Sequence, residues 1–391
     1  MSKKVAMTLG ILLMNLFIAF LGIGLVIPVL PTIMNELNIS GTVVGYLTAA
    51  FALTQLIISP FAGKAVDRFG RKIMIVLGLF IFGASEFLFG LGKTIEVLFI
   101  SRILGGLSAA FIMPAVTAFI ADITDESNRP KALGYMSAAI STGFIIGPGI
   151  GGFLAEIGTR VPFYSAGVLG AVAAVLSIIL LREPERQVVE DAHSDASQTK
   201  GGLRKIFMPI FFIAFVVIFV SSFGLAAFES FFSLYVDHKF HFSPSDIAIA
   251  ITGGAILGAV FQIVVFDKMM QAMGAIKLIR IMLIASAVLV FLMTVVNSYW
   301  LIMAVTFTVF IGFDLIRPAV TTYLSSIAGN DQGFVGGMNS FFTSLANVFG
   351  PILGGVMFDI DIDYPYYFAT IVLVIGVLLA FMWKQPQRKQ A

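Results

Sequence analysis

Apolar residues in this chain come in long blocks, each closed by charges or by turn-forming Gly and Pro. A helix needs about 20 mostly apolar residues to cross a bilayer. Twelve blocks meet that length, near 7–34, 42–62, 73–92, 97–121, 131–155, 162–181, 206–236, 246–266, 275–296, 299–325, 333–357 and 365–383. They are numbered here as spans one to twelve, and they predict an all-α membrane protein. The longest charged interval, 182–205, includes REPERQVVEDAHSDASQTK, which is too poor in apolar residues to fold alone. It reads as a linker between two six-helix halves, 1–181 and 206–391. The apolar run after MSKK is too long for a cleaved signal segment and reads as the first span.

Composition narrows the class. Charged residues make up 12% of the chain, against about 25% in soluble domains, and the mean hydropathy is +1.00. The 38 Gly suit helices that pack closely in lipid. With no Cys there is neither disulfide nor thiol chemistry. A net charge of +2 gives no reason to expect a nucleic-acid partner. With the N-terminus in the cytoplasm, only Lys93, Arg160 and Lys239 fall in outer loops, and Arg102 and Arg317 lie inside spans. Every other Lys and Arg is then cytoplasmic, which is the bias that orients bacterial membrane proteins. Both termini and the linker are expected inside, in a multi-pass protein of the cytoplasmic membrane.

The halves repeat. PAVT occurs at Pro114–Thr117 and again at Pro318–Thr321, GPGIGG at Gly147–Gly152 is echoed by GPILGG at Gly350–Gly355, and Gly24-Leu25 by Gly224-Leu225. Parallel halves of this kind suit a transporter with a site between them. The repeat also shows what is unshared. Asp314 aligns with Ala110, Arg317 with Met113, Glu229 with Val29, and Arg102 with Thr306. Charges needed only to build a six-helix half should occur in both, so the asymmetry points to a task.

Ionisable groups inside spans are costly and usually face a bundle interior or a water cavity. Glu229 lies in span seven, Asp314 and Arg317 in span ten, and Arg102 in span four. Glu86, in span three, reads as a structural pairing. Asp314 and Arg317 share a helix face at i and i+3, so mutual neutralisation is the plain alternative to a functional role. FESFF sets Phe228, Phe231 and Phe232 around Glu229. Phe144 and Asn347 are repeat equivalents, each three residues before a Gly-Pro, and Gln55 and Gln262 add neutral polar groups. An apolar, aromatic cavity with a few acids suits lipophilic cations.

Other motifs fail or change meaning. Gly147, Gly149 and Gly152 formally match a dinucleotide fingerprint, but no strand precedes them. Gly143, Gly147 and Gly151 form instead a small-residue ridge for close helix contact, with Pro148 as a weak point. Gly92-Lys93-Thr94 lacks the first Gly of a P-loop, since position 87 is Phe87, so ATP is not expected as a partner. No metal cluster, catalytic triad or cofactor motif is found. In GKAVDRFGRK, Gly63–Lys72, Asp67 can answer the positive end of a helix, and Arg68, Arg71 and Lys72 can grip carboxylates or helix C-termini.

That last stretch, with Gly63, Asp67, Arg68, Gly70 and Arg71, resembles the loop motif of the major facilitator superfamily, although Ala65 stands where Leu is usual. GFIIGPGIGGFL is similar to the motif of that superfamily's drug:proton antiporters. FLGIGLVIPVLP, SRILGGLSAAFIMPAVT, FGLAAFES and GFDLIRPAVTTYLSSIAG extend the resemblance to the Bmr/NorA-type multidrug efflux transporters over the whole chain. The resemblance implies a twelve-helix fold whose spans one, four, seven and ten line a central cavity. Arg102 matches the span-four arginine motif, with Gly105 where Gln is usual. The implied activity is proton-driven export of hydrophobic, often cationic compounds such as ethidium, quaternary ammonium compounds and fluoroquinolones. Glu229 and Asp314 are the candidate proton and cation sites, with Arg317 acting on Asp314 by charge proximity; Gly63, Asp67, Arg68, Gly70, Arg71, Gly147 and Pro148 are the candidates for conformational gating. Expected partners are drugs, protons and the lipid bilayer, with the protein a monomer. The alternatives are a carrier of one small metabolite and a non-transporting membrane receptor.

Overall fold

A computed structural model describes residues 3–125, 127–184, 209–328 and 332–383. Those residues form helices and short connections with no strand. Twelve helices are long and apolar enough to cross a membrane: Val5–Glu36, Gly41–Phe69, Arg71–Leu91, Ile95–Ile123, Lys131–Ile157, Val161–Leu180, Phe211–Phe240, Pro244–Val264, Ala275–Val295, Tyr299–Ile327, Phe334–Ile360 and Tyr364–Met382. They correspond one to one with the predicted spans. The predicted linker lies almost wholly outside the described residues, apart from its first residues, 182–184.

Proline sets the internal breaks. Span one runs as helix over Lys3–Val26, tightens to a 3-10 turn at Ile27–Val29, and resumes over Leu30–Glu36. Pro28 and Pro31 open the second and third pieces, where a missing N–H costs least. Pro114, Pro148, Pro318 and Pro351 stay inside continuous helices, in matching places of the two halves. Helix extent differs from expectation at Gly63–Phe69, which the charged sequence reads as a loop. The helix of span two runs on to Phe69, because its backbone bonds need no lipid. The break falls at Gly70 alone, whose φ of 104° suits a residue without a side chain.

The described residues divide into two compact units, those within 1–190 and 236–252, and those within 191–235 and 253–391. Within the first, span one packs on spans five and six, span two on span four, and span three on spans four and six. Within the second, span nine packs on spans ten and twelve. Span three against four and six thus repeats as span nine against ten and twelve, so the sequence repeat is also a repeat of packing.

Small residues bring these helices close. A Cβ on Gly147 would lie 2.6 Å from the carbonyl oxygen of Leu21, and one on Gly143 2.8 Å from that of Phe17. The glycine ridge of span five therefore lies directly on the span-one backbone. In the second unit Gly350 and Gly354 face Ala226 and Phe231 of span seven. Buried polar groups lock the same packing: Asn15 Nδ2 donates to Ser177 Oγ at 2.7 Å between spans one and six. At the end of span twelve, the buried Trp383 indole N–H donates to the Tyr323 hydroxyl at 3.1 Å. Arg280 holds the carbonyls of Ala380 and Trp383 at 2.8 and 2.7 Å.

Candidate functional site

In the second unit, Glu229, Asp314 and Arg317 come within electrostatic range of one another. Glu229 and Arg317 are exposed, and Asp314 is half-buried. No hydrogen bond or ion pair within 4.0 Å holds any of the three side chains among the described residues. Sequence spacing alone would allow Asp314 and Arg317 to close on each other across one turn; in this structure they do not. The Asp314 carboxylate instead lies against Gly258 of span eight, where a Cβ would overlap Oδ2. Gly258 is thus a site residue that the sequence did not reveal. Along the same seam Gly253 and Gly254 receive the rings of Phe307 and Phe310.

Gln262 and Asn347 are exposed. Phe228 and Phe232 are not: each is 1% exposed. Phe228 packs within a cluster with Phe232, Phe310, Phe313 and Tyr366, at centroid distances of 5.4 to 6.3 Å. Both rings thus pack within the unit. On a helix, i and i+4 share a face while i+1 turns about 100° away, so burying Phe228 and Phe232 turns Glu229 outward. The rings fix the helix that presents the acid.

In the first unit, Arg102 meets Glu86, with Nη2 3.5 Å from Oε1. The guanidinium also lies over the Phe89 ring, 4.3 Å from its centroid. The pairing expected for Glu86 is therefore made with the residue singled out in span four. Both residues line a cavity. Phe144 is 39% exposed and packs edge-on against Phe20 at 4.9 Å, and Gln55 is half-buried in span two.

Around Gly63–Lys72 the charges are specific. Arg71 Nε lies 2.8 Å from Asp122 Oδ2, and its Nη2 lies 3.4 Å from Asp67 Oδ1. Asp67 and Arg68 are otherwise exposed, as Lys64 is, and Gly63 has open space beside it. The carboxylate at the N-terminus of span three is Glu183: its Oε1 accepts from Arg71 N at 2.6 Å and its Oε2 from Lys72 N at 2.8 Å. Two unpaired helix N–H groups and the positive helix end are answered together. Lys72 Nζ completes the link by donating to the Ile178 carbonyl at 2.7 Å. Glu183 was hidden in the sequence because it begins the charged interval. Replacing it with Ala is expected to destabilise the protein by about 0.5–2 kcal/mol, the range for a lost helix cap. The check is thermal unfolding of the purified protein in detergent, and an unchanged midpoint would refute the cap. Span five places Pro148 buried, with its ring against Gly24.

Twelve membrane-length helices in a repeated arrangement, with Glu229 and Asp314 held by no hydrogen bond or ion pair among the described residues, mark the class of membrane transporters. The Major Facilitator Superfamily pattern matches residues 12–239 and 214–391, and the chain belongs to that superfamily. It is 66% identical over 389 residues to Multidrug resistance protein 1 of Bacillus subtilis (strain 168), covering 100% of this chain and 99% of that one. It is 47% identical over 379 residues to Quinolone resistance protein NorA of Staphylococcus aureus (strain MRSA252), covering 97% of each. Among solved structures, a bacterial homologue of the human lysosomal transporter Spinster superposes with a TM-score of 0.82 at 16% identity, over 98% of this chain and 97% of that one. That likeness concerns the fold. The protein is a multi-pass membrane protein.

Proposed function

We propose that this protein is a proton-coupled antiporter that exports hydrophobic, often cationic compounds across a bacterial cytoplasmic membrane. The observation that carries the reading is Glu229, an acid inside a membrane span, exposed and held by no partner among the described residues. Relatives of nearly the same length that are named for multidrug and quinolone resistance support the substrate class. Ionised, Glu229 attracts a lipophilic cation; protonated, it releases it. Drug and proton thus compete for one carboxylate, and the competition couples their fluxes if the two occupied forms favour different openings. Asp314 and Arg317 set the field around Glu229. Arg102, Phe144, Gln55, Gln262 and Asn347 supply polar and aromatic contacts, while Phe228 and Phe232 hold the helix in place. Gly63, Asp67, Arg68, Gly70 and Arg71, with Gly147 and Pro148, act in gating. The halves 1–181 and 206–391 move as units joined by the 182–205 linker, in a monomer.

One proton exchanged for one monovalent cation is electroneutral and draws on the pH difference alone. A second proton would add about 2.3 kcal/mol per 100 mV of membrane potential. The experiment is ethidium transport in energised everted vesicles. Transport that an uncoupler abolishes supports the reading, and transport indifferent to the uncoupler sinks it.

The orientation is tested separately. With both termini and the linker cytoplasmic, Ser194→Cys and Asp361→Cys should be labelled from opposite faces by a membrane-impermeant maleimide. Labelling of both from outside would reverse the topology. No native cysteine competes for the reagent.

A further inference from the structure

The first unit holds a cavity of about 200 Å³, lined by spans one to four of that unit. Drug-sized pockets run to roughly 300–1,000 Å³, so this one fits a bicyclic ring or one end of a larger molecule. Its wall is mostly aliphatic and aromatic, and among the described residues Glu86 and Arg102 are the only lining ones that carry charge. Among the described residues, Arg102 is the ion-pair partner of Glu86.

Their ion pair is incomplete. It rests on a single 3.5 Å distance, and Glu86 Oε2 and Arg102 Nε are buried without a hydrogen-bond partner among the described residues. A guanidinium and a carboxylate can pair through two parallel bonds, which would satisfy both atoms. A pair retained only to neutralise charge in an apolar wall gains from closing that fork, since buried unmade hydrogen bonds are costly. Arg102 is also the more reachable partner. Its side chain is 19% exposed against 4% for Glu86. Phe89 supports the guanidinium through its ring face, which leaves N–H groups available.

We infer that this cavity is a second ligand subsite, taking the carboxylate end of a lipophilic anion or zwitterion, with Arg102 exchanging Glu86 for the ligand. The inference deepens the export reading and rests on it, giving the carboxylate of an acidic or zwitterionic ligand its own place to bind. The proton balance is definite. The ligand carboxylate stays ionised on Arg102, and Glu86, deprived of its cation, takes one proton from solvent. One anion and one proton enter together, and the charge of the cavity is unchanged.

The test uses 1-naphthylacetate and its methyl ester on the full chain in lipid nanodiscs. Calorimetry in two buffers of different ionisation enthalpy counts protons, with empty nanodiscs as the blank. The wild type should bind the acid at least tenfold more tightly than the ester, taking up one proton per acid bound. Glu86→Gln should tighten acid binding and abolish the uptake. Arg102→Gln should reduce the acid to the affinity of the ester. Ala109→Leu fills the cavity and leaves the ion pair in place; it should weaken acid and ester alike, and it covers the case in which a charge variant fails to fold. Equal binding of acid and ester by the wild type overturns the inference. So does proton uptake that persists in Glu86→Gln, or an Ala109→Leu variant with unchanged affinities. Ethidium transport by the wild type separates the two ideas. If it is uncoupler-sensitive while naphthylacetate fails to bind, only this subsite is lost; if it is absent, the export reading falls.

Discussion

Glu229→Gln should reduce proton-driven ethidium transport to the level seen with an uncoupler, while the protein still folds and inserts. The side chain is exposed and no partner is lost, so the substitution removes a charge and a proton site and little else. Ethidium binding to the purified protein should weaken about tenfold, the loss of roughly 1.4 kcal/mol of attraction. A neutral drug should bind as before. The measurement that decides is proton release on adding ethidium to weakly buffered, detergent-solubilised protein. Wild type should release protons and Glu229→Gln should not. If the variant releases as many protons as wild type, coupling lies elsewhere, and Asp314 becomes the leading carrier. Asp314→Asn has a different signature, because its carboxylate lies against Gly258. Gly258→Ala should displace that carboxylate without altering any charge and should impair transport alongside Asp314→Asn.

The second large effect concerns span five. A Cβ on Gly151 would overlap the carbonyl oxygen of Leu25 and lie 2.7 Å from its carbonyl carbon. The obstacle is backbone, which cannot rotate aside, so Gly151→Ala should force spans one and five apart. Overpacking of this kind costs about 1–3 kcal/mol. Gly134 lies in the same helix, and a methyl group there would meet nothing within 4 Å. At that position Gly→Ala should instead stabilise, by up to about 1 kcal/mol, through helix propensity. Opposite shifts in thermal midpoint for the two variants would establish that contact, and not composition, keeps the ridge glycine. A Gly151→Ala protein as stable as wild type would remove the ridge from the argument.

The spans were legible because crossing a bilayer demands length and apolarity, and nothing else in the chain competes with that signal. The glycine ridge was legible because its spacing of four is the helix's own. What stayed hidden depended on other helices. Glu183 caps a helix more than a hundred positions earlier, as its hydrogen bond to Arg71 spans 112 residues. Asp122, which takes the Arg71 guanidinium, sits at the end of span four and carries no local mark of that role. Glu86 and Arg102 each stood out, yet their meeting follows from how spans three and four pack. The FESFF stretch carries a local reason as well. Neighbours in sequence are not neighbours in space there, because a helix sends Phe228 and Glu229 to different sides.

Trp383 and Tyr323 have a practical consequence. The chain holds 2 Trp, in opposite surroundings: Trp300 is 79% exposed and Trp383 is 2% exposed. Trp300→Phe therefore leaves one indole, packed edge-on against Tyr323 at 4.7 Å and joined to it by a hydrogen bond. Its emission reports whether the ends of spans nine, ten and twelve stay together. Any step of the working cycle that parts them changes the colour and intensity of light from a single native fluorophore, with no dye attached.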